Sequence, residues 1–114
     1  MTYIYKIVPA PLWRAAEASG SFAGASIDLT DGFIHFSTAA QVQETADKHF
    51  AGQQDLLLVA VATEDLGSEL RWEPSRGGQL FPHLYVALPV AAARSVAAVP
   101  IGADGRHDFT GLLA

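Results

Sequence analysis

An uninterrupted apolar run, Leu56 to Ala62, most limits what this chain can become. It is bounded by Asp55 and by Glu64-Asp65. It is far shorter than the roughly eighteen residues of a membrane span. A run of this length without polar interruption suits a strand buried on both faces. Asp55 to Thr63 is therefore read as the central strand, and the rest of the chain must supply cover for both of its sides.

Tyr3 to Val8 alternates bulky residues and reads as a second strand, ended by Pro9 and Pro11. Leu12 to Ser19 reads as a short helix with Pro11 in its first turn and Gly20 as its left-handed cap. Residues 20 to 32 contain Gly20, Gly24 and Gly32 and read as a loop closed by the Asp31-Gly32 turn. Phe33 to Phe36 is a short strand. Thr38 with Gln41 forms a capping box for a helix to about Phe50, whose apolar side is Val42, Ala46 and Phe50. Thr63 to Leu70 is a loop or short helical turn, Leu70 to Glu73 a brief strand and Pro74 to Gly78 a turn. Leu80 to Leu88 is extended, with Pro82 suited to an edge, and Ala91 to Pro100 is the last strand. Residues 101–114 form a polar C-terminal segment. About five strands, clustered late, and two short helices favour an α+β fold: one domain over 1–114, with a split mixed sheet.

Half of the 114 residues are hydrophobic, enough for one core. No cysteine is present, which excludes disulfides, thiolate catalysis and cysteine-based zinc sites. The net charge is −5, and the seven bases are scattered. That argues against an extended nucleic-acid surface and leaves room for a small anionic ligand held by one or two arginines. The first residues, Met1 to Lys6, lack the basic and long apolar regions of a signal peptide. The expectation is a cytoplasmic protein with no membrane partner. The Ala91 to Ala98 segment would permit a dimer, and the oligomeric state stays open.

Three segments carry polar residues that a plain core would not select. In Gly32-Phe33-Ile34-His35-Phe36-Ser37-Thr38, period two puts Phe33 and His35 on one side and Ile34 and Phe36 on the other. Ser37 and Thr38 follow where the chain turns into a helix, whose N-terminus suits an anion. Capping alone would equally account for them. In Arg71-Trp72-Glu73, the tryptophan offers a flat face on the side opposite Arg71 and Glu73. The carboxylate could bind a ribose or act as a base. In Phe81-Pro82-His83-Leu84-Tyr85, His83 and Tyr85 share a face and could relay a proton. His49 and His107 read as surface residues.

These three motifs, in this order and spacing, resemble domain-of-unknown-function family 952, over roughly Tyr3 to Pro100. The resemblance implies a compact fold grouped with the ADP-ribosyltransferase-like superfamily, with a cleft that holds NAD in the active enzymes. It places His35 on a ribose, with Ser37 or Thr38 nearby. Two departures stand out. Phe36 occupies a position usually held by glycine, where it could partly fill the nicotinamide pocket, and no glutamate follows Glu73.

Three functions follow from these readings. In the first, NAD is the substrate of a transferase or hydrolase, with Glu73 and His83 catalytic and His35, Ser37 and Thr38 at the ligand. Trp72 or Tyr85 would then stack a ring, and Arg71 or Arg76 would hold a phosphate. The second is a non-catalytic module binding a nucleotide-like small molecule in the same cleft. The third is a metal site of His35, His83 and Glu73.

Overall fold

The computed structural model describes residues 2–113, apart from the side chain of Arg76. Strand β4, Leu56–Ala62, is the organising element. All seven of its residues are buried, between β1 (Tyr3–Pro9) and β8 (Ala93–Ala98) in a three-stranded sheet of order β1-β4-β8. Alternation divides its side chains between two cores. Leu57, Val59 and Val61 enter one with Ile4 and Val8 of β1. Leu56, Leu58 and Ala60 enter the other with Tyr5 and Ile7.

Different elements close the two faces. On the first, helix α1 (Ala10–Ser19) contributes Trp13 and Ala16. It ends at Gly20, whose φ of +88° lets its N–H reach the carbonyl of Ala16. Beside it stands a second sheet of order β3-β6-β5, made of Ile34–His35, Leu80–Leu84 and Leu70–Pro74. That sheet offers Ile34 and Leu84 to this core, joined by Phe36 just past β3. On the other face lie Val42 and Ala46 of helix α3 (Val42–His49), together with Phe109. A short pair, β2 (Ser21–Phe22) with β7 (Leu88–Pro89), completes a single α+β domain. Among the described residues, no helix is long and apolar enough to cross a membrane.

Several expectations need correction. Residues 20 to 32 are not all loop: they contain β2 and a third helix, α2 (Ser26–Asp31). The helix expected after Thr38 becomes regular only from Val42, although the capping-box bond is present: the Gln41 side chain accepts the Thr38 N–H at 3.0 Å, and the Thr38 carbonyl accepts the Val42 N–H at 3.1 Å across a turn over residues 38–41. The described strand pairs are all antiparallel, so the split sheet is not mixed. Pro82 sits in the middle strand of its sheet, not at an edge. Its carbonyl accepts the Phe36 N–H at 3.0 Å, but proline has no N–H to return the bond, and β3 stops at His35. The extended stretch breaks after Leu84, and the last strand begins only at Ala93, after a short helical turn.

Candidate functional site

One face of the sheet β3-β6-β5 enters the core through Ile34 and Leu84, and chemistry gathers on the other, where His83 and Phe81 are buried and the flanking side chains reach solvent. His35 is the Cα partner of His83, and His83 is the partner of Arg71. Residues paired across antiparallel strands share a face. Arg71, His83 and His35 therefore form one row, a guanidinium followed by two imidazoles, across three strands. The two imidazole centroids lie 5.5 Å apart, edge to face. Phe33, on the same side as His35, stacks on His83 at 4.1 Å.

Carboxylates hold both rings. Glu73 Oε1 accepts from His83 Nδ1 at 2.8 Å and from the Tyr85 hydroxyl at 2.6 Å. The bonds from Tyr85 and then His83 draw the Glu73 carboxyl below its ordinary range. The same carboxylate pushes the Tyr85 phenol up. Arg71 lies over the Tyr85 ring, 5.0 Å from its centroid. Among the described residues, His83 Nε2 has no protein hydrogen-bond partner.

His35 is held at both nitrogens. Nδ1 lies 2.6 Å from Asp28 Oδ1, and Nε2 lies 2.9 Å from Asp31 Oδ2. A neutral imidazole carries one N–H, so both carboxylates receive a hydrogen bond only when the ring is doubly protonated. Asp28 is buried and takes further bonds. The Lys6 ammonium reaches its two oxygens at 3.0 and 2.9 Å. The Ala25 N–H reaches Oδ2 at 2.7 Å, and the His35 N–H reaches Oδ1 at 3.1 Å. Burial alone would push the Asp28 carboxyl up, but the bonds from His35 and Lys6 outweigh it and hold it at about 2. Burial lowers the Lys6 ammonium against the pull of Asp28. Gly24 makes room for this carboxylate: a Cβ there would stand 2.7 Å from Asp28 Cβ, at a φ of +122°.

The structure thus joins His35, Glu73, His83, Tyr85 and Arg71, and adds Lys6, Asp28, Asp31 and Phe33. It does not bring in the others. Ser37 is buried and bonds Thr45 Oγ1 at 2.9 Å, while its backbone pairs with Tyr5. Thr38 is engaged in the turn with Gln41. Trp72 is 42% exposed but, by alternation, stands on the sheet face opposite Glu73. Phe36 is buried in the core with Ile34 and Leu84. Among the described residues, no group of three His, Asp or Glu side chains is arranged to hold a metal, and the nitrogens of His35 and His83 Nδ1 face separate carboxylates.

The sequence reading missed a second polar locality. His107, expected at the surface, is buried, with Nε2 2.8 Å from the Gln53 carbonyl. It borders a depression of about 400 Å³ with Gln43, Gly102, Asp104, Arg106 and Asp108. Arg106 is tied there to Asp47 at 2.6 Å. A smaller depression of about 190 Å³ lies beside α1 and β2. None of the histidine-row residues lines either one.

Comparison with known proteins gives one family and one solved relative. A family model described as protein of unknown function (DUF952) matches residues 7–96. The crystal structure of protein CC0527 from Caulobacter crescentus is 50% identical, covers 96% of each chain and superposes with a TM-score of 0.92. The solution NMR structure of CC0527 is likewise 50% identical, covers 100% of this chain and 98% of that one, and has a TM-score of 0.89. No protein of curated function matches.

Proposed function

Since the chain belongs to the DUF952 family, whose members its histidine motifs resemble, we propose that the outward face of β3-β6-β5 is a small-molecule site that works by proton transfer. One observation carries this reading: Glu73 fixes Nδ1 of the buried His83 at 2.8 Å, while Nε2 has no partner among the described residues. A carboxylate that orients one imidazole nitrogen and leaves the other to the substrate is the arrangement of a general acid–base. Tyr85, bonded to the same oxygen, is a second proton carrier beside it.

The substrate class we assign is a ribose-bearing nucleotide, NAD or ADP-ribose, cleaved or transferred at the glycosidic carbon. The warrant for that class is the family's grouping with the ADP-ribosyltransferase-like superfamily, which is an analogy of fold. The residues present fit such a molecule in part. Arg71 supplies a cation for a phosphate, and the exposed Tyr85 ring supplies a flank. Phe36, withdrawn into the core, leaves this face clear. His83 would then protonate or deprotonate the departing or incoming group, and Glu73 would stabilise positive charge developing on the ring carbon.

A second reading, a binding module without chemistry, draws on His35. Both of its nitrogens are engaged within the protein, as in a recognition group held rigid. Incubation with NAD separates the two. Acid–base catalysis predicts nicotinamide release that is lost in His83→Gln. A binder is stabilised by ADP-ribose and leaves NAD intact. If neither ligand raises the melting temperature at millimolar concentration, the nucleotide assignment is wrong.

A further inference from the structure

The carboxylates on His35 are not equivalent, and the difference points to what the site accepts. Asp28 is fully buried and anchored by Lys6 and two backbone N–H groups. Asp31 ends the six-residue helix α2, and its side chain is 39% exposed. Its bond to Nε2 spans four residues at the surface, where such pairs contribute little and exchange readily with other anions. His35 stands at the β3 end of the Arg71–His83–His35 row, and its Nε2 is the nitrogen held by Asp31. Asp31 thus already sets an oxyanion against the last histidine of that row.

Resting on the reading of this face as a ligand site, we propose that the row Arg71–His83–His35 is a phosphate subsite and that Asp31 is its internal placeholder. A phosphate group of the ligand displaces the Asp31 carboxylate from His35 Nε2 and bonds His35 and Arg71 in its place. Charge favours the exchange. With Asp31 in place, three carboxylates (Asp28, Asp31, Glu73) face the fixed cations Lys6 and Arg71. With Asp31 swung out, two carboxylates face the same two cations, and an incoming anion meets less repulsion. Gly32, left-handed at φ +85° directly after Asp31, is a backbone position at which this helix end can reorient. The Asp28–His35 bond, by contrast, stays intact and keeps the ring aimed.

Inorganic phosphate is the probe, followed through the imidazole nitrogen resonances of the wild-type protein and of Asp31→Asn at constant pH and ionic strength. The exposed position of Asp31 makes the substitution compatible with folding. Phosphate should move the His35 resonances and should bind about two- to fivefold more tightly to Asp31→Asn, the factor expected for removal of one exposed competing ion pair. Glu73→Gln should keep the His35 response even where it loses nucleotide turnover, so a failed nucleotide assignment is told apart from a failed subsite. Unchanged affinity in Asp31→Asn, or phosphate that leaves His35 unmoved in both proteins, overturns the proposal.

Discussion

Replacing Asp28 with asparagine tests the support of the site in one residue. The side chain is buried, and its carboxyl titrates at about 2 in place of its ordinary 3.8. At about 1.4 kcal/mol per pH unit, that depression contributes about 2 kcal/mol of stability. The folded value lies below the unfolded one. The contribution is therefore complete above pH ~4 and lost as pH falls through about 2. At neutral pH the variant also leaves the Lys6 ammonium buried with no counter-charge, and breaking a buried pair in this way costs about 3–5 kcal/mol. For a domain of this size the melting temperature should fall by about 10–20 °C. Urea melts of wild type and Asp28→Asn across pH 2 to 7 should show the full difference at pH 7 and convergence towards pH 2. Adding Lys6→Met to Asp28→Asn should recover part of the loss, because the orphaned charge is gone. A variant within 1 kcal/mol of wild type at pH 7, or a difference that does not narrow in acid, would refute the assignment of Asp28 as a paired, buried anion.

Three further outcomes are expected. Gly24→Ala forces a Cβ to within 2.7 Å of Asp28 Cβ at a φ of +122°, and should destabilise by about 2 kcal/mol or more while disturbing the His35 resonances. Glu73→Gln removes the carboxylate charge that helps raise the Tyr85 phenol, so the Tyr85 Cζ resonance should titrate at lower pH than in wild type. His107→Ala deletes the buried bond to the Gln53 carbonyl, and should cost about 1–3 kcal/mol in urea and speed proteolysis after Val99.

The parts of this molecule that were legible in the sequence are those governed by period two. Leu56 to Ala62 is the buried central strand that its composition demands. Alternation alone put His35 with Phe33, and His83 with Tyr85, and those faces do coincide. The missing pieces have physical reasons. Helix α2 has six residues among glycines, and its apolar members Ile27 and Leu29 are exposed, so no buried stripe announces it. Without α2, Asp28 has no visible route to His35, and Lys6 looks like any lysine in a strand. Thr38 fits a helix cap locally and its N–H is accepted by the Gln41 side chain as a capping box requires, but residues 38–41 form a turn and the regular helix begins only at Val42. His107 owes its burial to Gln53, far away in the chain, which no local pattern encodes.

The four histidines of this chain allow one measurement of the central claim. His35 and His83 lie on the proposed site, His49 is exposed at the end of α3, and His107 borders the 400 Å³ depression. Their imidazole resonances, followed during titration with ADP-ribose, report from all of these places at once. The account predicts that His35 and His83 move together with one dissociation constant while His49 and His107 stay still. Movement of His107 with His35 and His83 unmoved would contradict it, and would put the ligand in the depression beside the C-terminal segment.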